Sequence, residues 1–417
     1  MNRTPARRHP RLAAAAAAAS GAIAAAALVA CSGETTVSQP TTSSGATSSG
    51  ASSTSASSTG ASSTSASSTG ASSTSASSTS GTGASSTSPS TASTSPSGTT
   101  SAGSSTAAAQ RSGTTVRLAF GGDTNTANSA ARVLSDGMGS AARVLAAADL
   151  SMVNIETVLA DDRSGLTREP KAFNFVAPTR LLDVVGKAGV DVVTVANNHG
   201  LDYGPLGLKR TLAARSSTRP HLIGAGNDLR EAFAPYRTTV RGRGVLFLAA
   251  TDVLDAGLQW AATATRAGLA SIKTAAGYAA MRSAVRADRV VHPGDVIVVY
   301  LHAGVELNVC PTSRQKQVAS DLASDGASAV LMSHAHVVQP GAVLNETAVA
   351  YGLGNFVFAA QSGATASTGV MEIDVPPTGA PTEVWHPGRI SGGIPTIFTG
   401  SEAARATARW KALGSHC

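Results

Sequence analysis

Val190-Asp191-Val192-Val193-Thr194-Val195-Ala196-Asn197-Asn198-His199-Gly200 is the stretch on which the reading of the fold turns. β-Branched side chains suit a pleated surface, so the run up to Ala196 predicts a strand buried on both faces. It passes directly into two amides and an imidazole, and a helical stretch opens at Pro205. Strand, polar loop and helix make up the unit of open α/β sheets, whose ligands bind outside the carboxyl ends of the strands. Polar groups placed there are costly unless each finds a partner, and such loops are where function tends to sit.

The same transition recurs at five other places: Phe120-Gly121-Gly122-Asp123, Val153-Asn154-Ile155-Glu156, Tyr300-Leu301-His302, Met332-Ser333-His334-Ala335-His336 and Gly352-Leu353-Gly354-Asn355. Short apolar runs at 116–120, 150–154, 245–250, 296–301 and 329–332 read as strands. Helical patterns fall between them at 127–148, 179–188, 205–215, 272–288 and 314–324. This alternation predicts an α/β fold with mainly parallel pairing. Strands at 348–351, 355–359 and 370–375 add a mixed or second sheet, giving two sheets flanked by helices. Asp123, Glu156, Asn198, His199, His302, His334 and His336 all follow a strand and are expected to converge. His221 and His292 precede theirs and belong at the opposite rim.

Each junction has a chemical and a plain structural reading. Asp123 follows two glycines that permit close approach to a ligand, or it caps the helix expected from about Ala127. Asn154 and Glu156, two apart, point to one side of a strand end, as ligands for a hard or borderline cation or simply as a polar strand end. Asp202 orients His199, caps the helix that opens at Pro205, or does both. His334 and His336 alternate on what reads as an extended segment, which puts both imidazoles on one side, able to ligate one metal or two neighbouring metals.

The folded domain is expected over residues 113–417. Residues 1–31 hold Arg3, Arg7, Arg8 and Arg11, an Ala-rich apolar run, and Leu28-Val29-Ala30-Cys31. This is the layout of a secretory signal, and its last four residues resemble a bacterial lipobox with Cys31 as the lipidated residue. An ordinary cleaved signal or an uncleaved anchor are the other readings, the apolar run being short for a spanning helix. Residues 32–112 are mostly Ser, Thr, Ala and Gly, with one acid, Glu34, and no aromatic residue. Such a segment cannot bury enough apolar surface to offset its ordering entropy, so it reads as a disordered tether spanning on the order of 50 Å. Together these features predict an extracytoplasmic lipoprotein held at the cell membrane and facing the wall. Without the four leader arginines and Glu34, 28 basic residues stand against 24 acidic ones. That scattered balance of +4 excludes a nucleic-acid footprint and leaves mild attraction to an acidic polymer. Cys310 and Cys417 remain as an even pair that forms a disulfide in an oxidising compartment or persists as two thiols.

In order along the chain, Gly-Asp, Asn-x-Glu, Ala-Asn-Asn-His-x-x-Asp-Tyr-Gly, His-x-Gly-x-Glu, His-x-His-Val-Val-Gln-Pro and Tyr-x-Leu-Gly-Asn-Phe resemble the CapA family, named for capsular poly-gamma-glutamate biosynthesis. The resemblance covers residues 116–375. The family is similar to calcineurin-like metallophosphoesterases, which implies a four-layer α/β/β/α sandwich with two divalent metal ions, whether manganese, iron or zinc. Carried over by position, the resemblance makes Asp123 and His336 ligands of one metal, Asn198, His302 and His334 ligands of the other, and Glu156 a shared ligand. His199 then lies just outside the metals, to protonate a leaving oxygen or to stabilise charge in the transition state, and a dinuclear centre of this kind activates water and neutralises phosphoryl charge. Three departures from the phosphoesterase pattern weigh on the chemistry. Asn125 stands where those enzymes have a histidine ligand, the pair Asn154/Glu156 replaces their bridging aspartate, and Asn197 replaces a glycine. Within the CapA-like pattern, Ala303 replaces an aromatic residue and Ala335 a proline. Two roles follow from the resemblance: a surface-tethered metal-dependent hydrolase of a phosphoester or wall-polymer linkage, or a non-hydrolytic component that holds an anionic polymer for membrane-bound polyglutamate synthesis proteins.

Overall fold

The computed structural model describes residues 114–216, 220–360 and 362–417. The leader, its Cys31 and the tether of residues 32–112 lie outside the described residues. Among the described residues no helix is long and apolar enough to cross a membrane.

The run quoted above forms the strand Val192–Thr194, parallel to Leu150–Ile155 on one side and His221–Ile223 on the other. Val116–Thr124 continues this parallel set beyond Leu150–Ile155 and takes Ser367–Val375 antiparallel on its far side. Thr382–Ser391 and Ile394–Ile397 complete that margin, and Asn355–Val357 pairs parallel with the end of Val116–Thr124. In the second sheet Arg243–Thr251, Val296–Ala303, Ala329–His334 and Thr347–Ala350 run parallel, with Tyr236–Val240 and Gly341–Leu344 as antiparallel margins. Each sheet thus has the parallel centre expected from strand–helix alternation. Its antiparallel margins come from hairpin-like connections that the alternation did not announce.

The period of two along each central strand sorts its side chains between different cores. Leu118, Phe120, Met152 and Val192 of the first sheet pack with Val245, Phe247, Val298, Tyr300 and Leu331 of the second. The alternate residues Ala119, Val153, Ile155 and Val193 pack outward with Val133, Leu145, Leu181 and Val185 of the covering helices. On the other side Leu246, Leu248, Ile297, Val299 and Val330 meet Met281 and Val285 of the helix Ala275–Val291 and Val318 and Leu322 of Ser313–Asp325. A strand buried on both faces must be apolar at every position, which is why these runs read as continuous rather than alternating.

Two expectations need correction. The helical stretch at 127–148 is broken into a 3-10 turn at Asn128–Arg132 and two short helices, Val133–Asp136 and Ala141–Leu145. The break between the two short helices falls where Gly137 and Gly139 take positive φ. The strands Tyr236–Val240, Thr382–Ser391 and Ile394–Ile397 and the helix Gly400–Leu413 had no place in the sequence reading. As for the two cysteines, Cys310 and Cys417 are joined in a disulfide, Cα atoms 5.2 Å apart. The bridge fixes the C-terminus against the loop that follows His302.

Candidate metal centre

Asp123 reaches the centre because its strand is irregular there. The pairing with Leu150–Ile155 shifts register between Phe120 and Asp123, and the pairing with Asn355–Val357 shifts again after Asp123. Such bulges re-aim a side chain at a strand end. The two preceding glycines serve a neighbouring segment. A Cβ on Gly122 would lie 1.9 Å from the Gly354 carbonyl oxygen, and that oxygen accepts the Asp123 N–H at 3.0 Å. The close approach expected of a ligand is therefore made by the Gly352–Asn355 backbone. Asp123 does not cap a helix; Asn125 Oδ1 instead accepts the Ala127 N–H at 3.0 Å.

Around Asp123 the other strand ends converge. Its Oδ1 accepts from Asn154 Nδ2 at 2.8 Å and lies 3.7 Å from His302 Nδ1, while its Oδ2 accepts the His334 N–H at 3.1 Å and lies 3.6 Å from His336 Nδ1. His302 Nε2 stands 2.9 Å from Asn198 Oδ1 and 3.6 Å from Glu156 Oε1. Three sets of donors bring one ligand atom per residue within 4.8 Å of one another: Glu156, His302 and His334; Asp123, Glu156 and His336; and Glu306, His334 and His336. Glu156 is common to the first two sets.

His334 ends the strand Ala329–His334, and from there to His336 the chain is not extended. Their φ angles are 103° and 56°, and their rings still come together, with centroids 6.0 Å apart. The convergence is made by left-handed turns, which cost an L-residue about 1–3 kcal/mol each and cluster at functional sites. Hydrogen bonds hold the segment in place. Leu307 N–H donates to the Ala335 carbonyl at 2.8 Å, and Asn355 Oδ1 lies 2.7 Å from His336 Nδ1. Asn355 Nδ2 also donates to the His336 carbonyl at 3.3 Å, so this residue orients a donor.

Beside the donor groups, His199 Nδ1 is 2.7 Å from Asp202 Oδ2, and His199 Nε2 is 3.9 Å from Glu156 Oε1. Asp202 is fixed twice more, by the Phe175 N–H at 2.6 Å and by Lys171 Nζ at 3.1 Å. It does not cap the helix Gly204–Ala213, whose N-cap is Tyr203. The Phe175 ring packs on the His199 imidazole, centroids 4.4 Å apart. Asn197 links two strand ends, its Nδ2 donating to Asn154 Oδ1 and the Ile155 carbonyl at 2.9 Å each while its Oδ1 accepts the His199 N–H.

The donors fit a cation on physical grounds. Glu156 is fully buried and neither carboxylate oxygen has a hydrogen-bond partner; His334 Nδ1 is likewise buried and without one. An orphaned buried carboxylate is expensive. Burial, followed by the charges of Asp123 and Glu306, pushes the Glu156 carboxyl well above its ordinary range. Burial together with the neighbouring imidazoles holds His302 and His334 well below theirs. These shifts leave neutral imidazoles ready to donate lone pairs, and a divalent cation would favour the ionised form of Glu156.

The structure brings Asp123, Glu156, Asn198, His199, Asp202, His302, His334 and His336 together. His221 and His292 lie elsewhere; the former stacks on Tyr236 with centroids 4.1 Å apart, and the latter ends the helix Ala275–Val291. Lys171, Phe175 and Glu306 were not assigned from sequence. Glu306 carried a signal, four residues after His302 in a strand-end segment. Lys171 and Phe175 carried none, because a long irregular loop brings them to the site.

The family model described as bacterial capsule synthesis protein PGA_cap matches residues 117–360. A capsule biosynthesis protein CapA of Bacillus anthracis is 30% identical over 201 residues, 48% of each chain, and a PGA biosynthesis protein CapA of Bacillus subtilis (strain 168) is 33% identical over 168 residues, 40% of this chain and 42% of that one. The chain thus spans about half the length of these relatives. A solved structure of a novel phosphatase from Mycoplasma pneumoniae is similar over 70% of this chain and 97% of its own, at 10% identity and a TM-score of 0.41. With more than half of its residues inside the matched span, the chain belongs to the bacterial capsule synthesis protein PGA_cap family.

Proposed function

We propose that this chain is a surface-tethered, metal-dependent hydrolase of poly-gamma-glutamate capsule or envelope-polymer metabolism, acting on a phosphoester or a linkage in an anionic polymer. The observation that carries the reading is Glu156, a buried carboxylate with two unpartnered oxygens that is common to two donor sets. Asp123 and His336 complete one set and His302 and His334 the other, with Asn198 beside His302. That arrangement suits two divalent cations, which when bound would activate water and neutralise charge on a phosphoryl or carbonyl oxygen. The names of the Bacillus relatives support the polymer assignment.

The remaining residues act by position. Asp202 holds the His199 Nδ1 proton, so Nε2 faces the centre, where it delivers a proton to the leaving oxygen. Lys171 and the Phe175 N–H hold Asp202 in place. Asn355 fixes the ring of His336.

Loaded with manganese, the full chain is expected to turn over a generic phosphodiester. His199→Ala should lower turnover by about 10²–10⁴-fold with metal content unchanged. His336→Ala should lower both turnover and metal content. Manganese that binds stoichiometrically without turnover on any phosphoester or polyglutamate would overturn the hydrolytic assignment. One observation favours the second reading, a non-hydrolytic polymer-holding component working with membrane polyglutamate synthesis proteins: Asn125, at the place of a histidine ligand in the phosphoesterases, uses its oxygen to hold the Ala127 N–H. The proposed tether is anchored at Cys31, and Cys31→Ser should abolish lipid labelling and release the protein from the membrane fraction.

A further inference from the structure

Glu306 lies outside the ligand set discussed above, yet its surroundings are built to hold it in place. It is half-buried at the mouth of the centre, where its carboxylate, His334 and His336 each bring a ligand atom within 4.8 Å of the others. The loop that carries it is bonded to the segment that carries the imidazoles. Leu307, at φ 62°, donates its N–H to Ala335 between the two histidines at 2.8 Å. Gln339 Nε2 donates to the Asn308 carbonyl at 2.7 Å and to that of Cys310 at 3.2 Å, while Gln339 Oε1 accepts from Gln315 at 2.9 Å. Gln315 closes the capping box that starts the helix Ser313–Asp325, and Cys310 is bridged to Cys417. A loop tied at four places within the four residues that follow one carboxylate presents that carboxylate in a fixed position.

The second observation concerns His334. Its ring is buried, 6% exposed, and its Nδ1 has no hydrogen-bond partner. His336 is more open, with 11% of its side chain accessible. Two imidazoles and a carboxylate meeting at the entrance make a donor set for a borderline divalent cation, and its openness leaves positions for water or an anionic group.

We propose that Glu306 is a metal ligand that joins His334 and His336 at the solvent-facing entrance of the centre, adding a carboxylate to a cation held by the inner donor sets where the anionic group of a substrate would be received. The proposal rests on the metal-centre reading given above but assigns a ligand that the reading does not need. Without Glu306 the two inner donor sets, which share Glu156, remain complete.

The test is a manganese titration of the full chain, followed by calorimetry and by the electron paramagnetic resonance signal of free manganese, for wild type, Glu306→Gln and Glu156→Gln. Glu306→Gln is expected to weaken one manganese-binding step at least tenfold, with the melting temperature of the metal-free protein unchanged. Glu156→Gln should lose the inner binding steps. If Glu306→Gln matches wild type in number and affinity while Glu156→Gln loses metal, the entrance ligand is refuted and the inner centre stands. If wild type binds no manganese, or Glu156→Gln binds as wild type does, both readings fall.

Discussion

Lys171 shows how one side chain outside every recognisable motif ties the site together. Its ammonium is almost fully buried, within 3.1 Å of Asp202 Oδ1 and 2.6 Å of Asp255 Oδ2, and it donates to the Asn198 carbonyl at 2.5 Å. It also lies over the Trp260 ring, 5.0 Å from the centroid. One cation therefore steadies the backbone of a metal-ligand candidate and the carboxylate that orients His199. Lys171→Met leaves Asp202 buried without its counter-charge, and loss of one partner of a buried pair costs about 3–5 kcal/mol. The expected result in urea denaturation is a destabilisation of that order, smaller to the extent that the partly exposed Asp255 is solvated. A midpoint equal to wild type would show the pair to be inert. The strand-end donors were legible because each follows an apolar run. Lys171 was not, because its three partners lie 27, 31 and 84 positions away along the chain.

At the scale of elements, the margins of the sheets carry what the strand–helix alternation left out. Thr382–Ser391 in the first sheet and Thr347–Ala350 in the second are joined by Glu383, whose Oε1 accepts the Val349 N–H at 3.1 Å. Burial pushes the Glu383 carboxyl up to about 7 against an ordinary 4.5, with the Val349 hydrogen bond opposing the shift. The raised value means that the folded protein holds this proton more tightly than the unfolded chain. The contribution is fully present below pH 4.5 and is lost as pH rises toward 7, by about 3 kcal/mol over that window. Glu383→Gln removes this loss, so its stability relative to wild type should climb from pH 4.5 to 7 in parallel denaturation curves. A difference that stays constant with pH would contradict the assignment. The central strands could be read from sequence because burial on both faces demands unbroken apolar runs. Thr382–Ser391 could not, because it alternates and contains Pro387 and Gly388. The turns at His334 and His336 were equally hidden, since a left-handed φ in a histidine is imposed by bonds from Leu307 and Asn355.

Over the whole molecule, the Cys310–Cys417 bridge closes a loop of 107 residues that contains the His334–His336 segment. Removing a crosslink of this length is expected to cost about 2–4 kcal/mol. It also frees one side of the Glu306 loop. The double variant Cys310→Ser/Cys417→Ser should therefore melt at a lower temperature and bind manganese more weakly, with the weakening confined to the step that Glu306→Gln also weakens. A variant that loses stability but binds manganese as wild type does would show that the bridge serves the fold alone. By itself the sequence determined that the chain is an α/β protein and which residues stand at the carboxyl ends of its strands. Apolar periodicity and strand–loop–helix order are local properties, and parallel strands gather their ends on one side. Only the tertiary structure decided which of those residues share a centre. It turned the His334–His336 segment into left-handed conformation, gave Gly122 to the Gly354 backbone, gave Asp202 to His199 rather than to a helix end, and brought in Glu306 and Lys171. Each of those outcomes depends on which buried polar group finds its partner, and the partners come from strands, turns and loops that meet only when the two sheets pack.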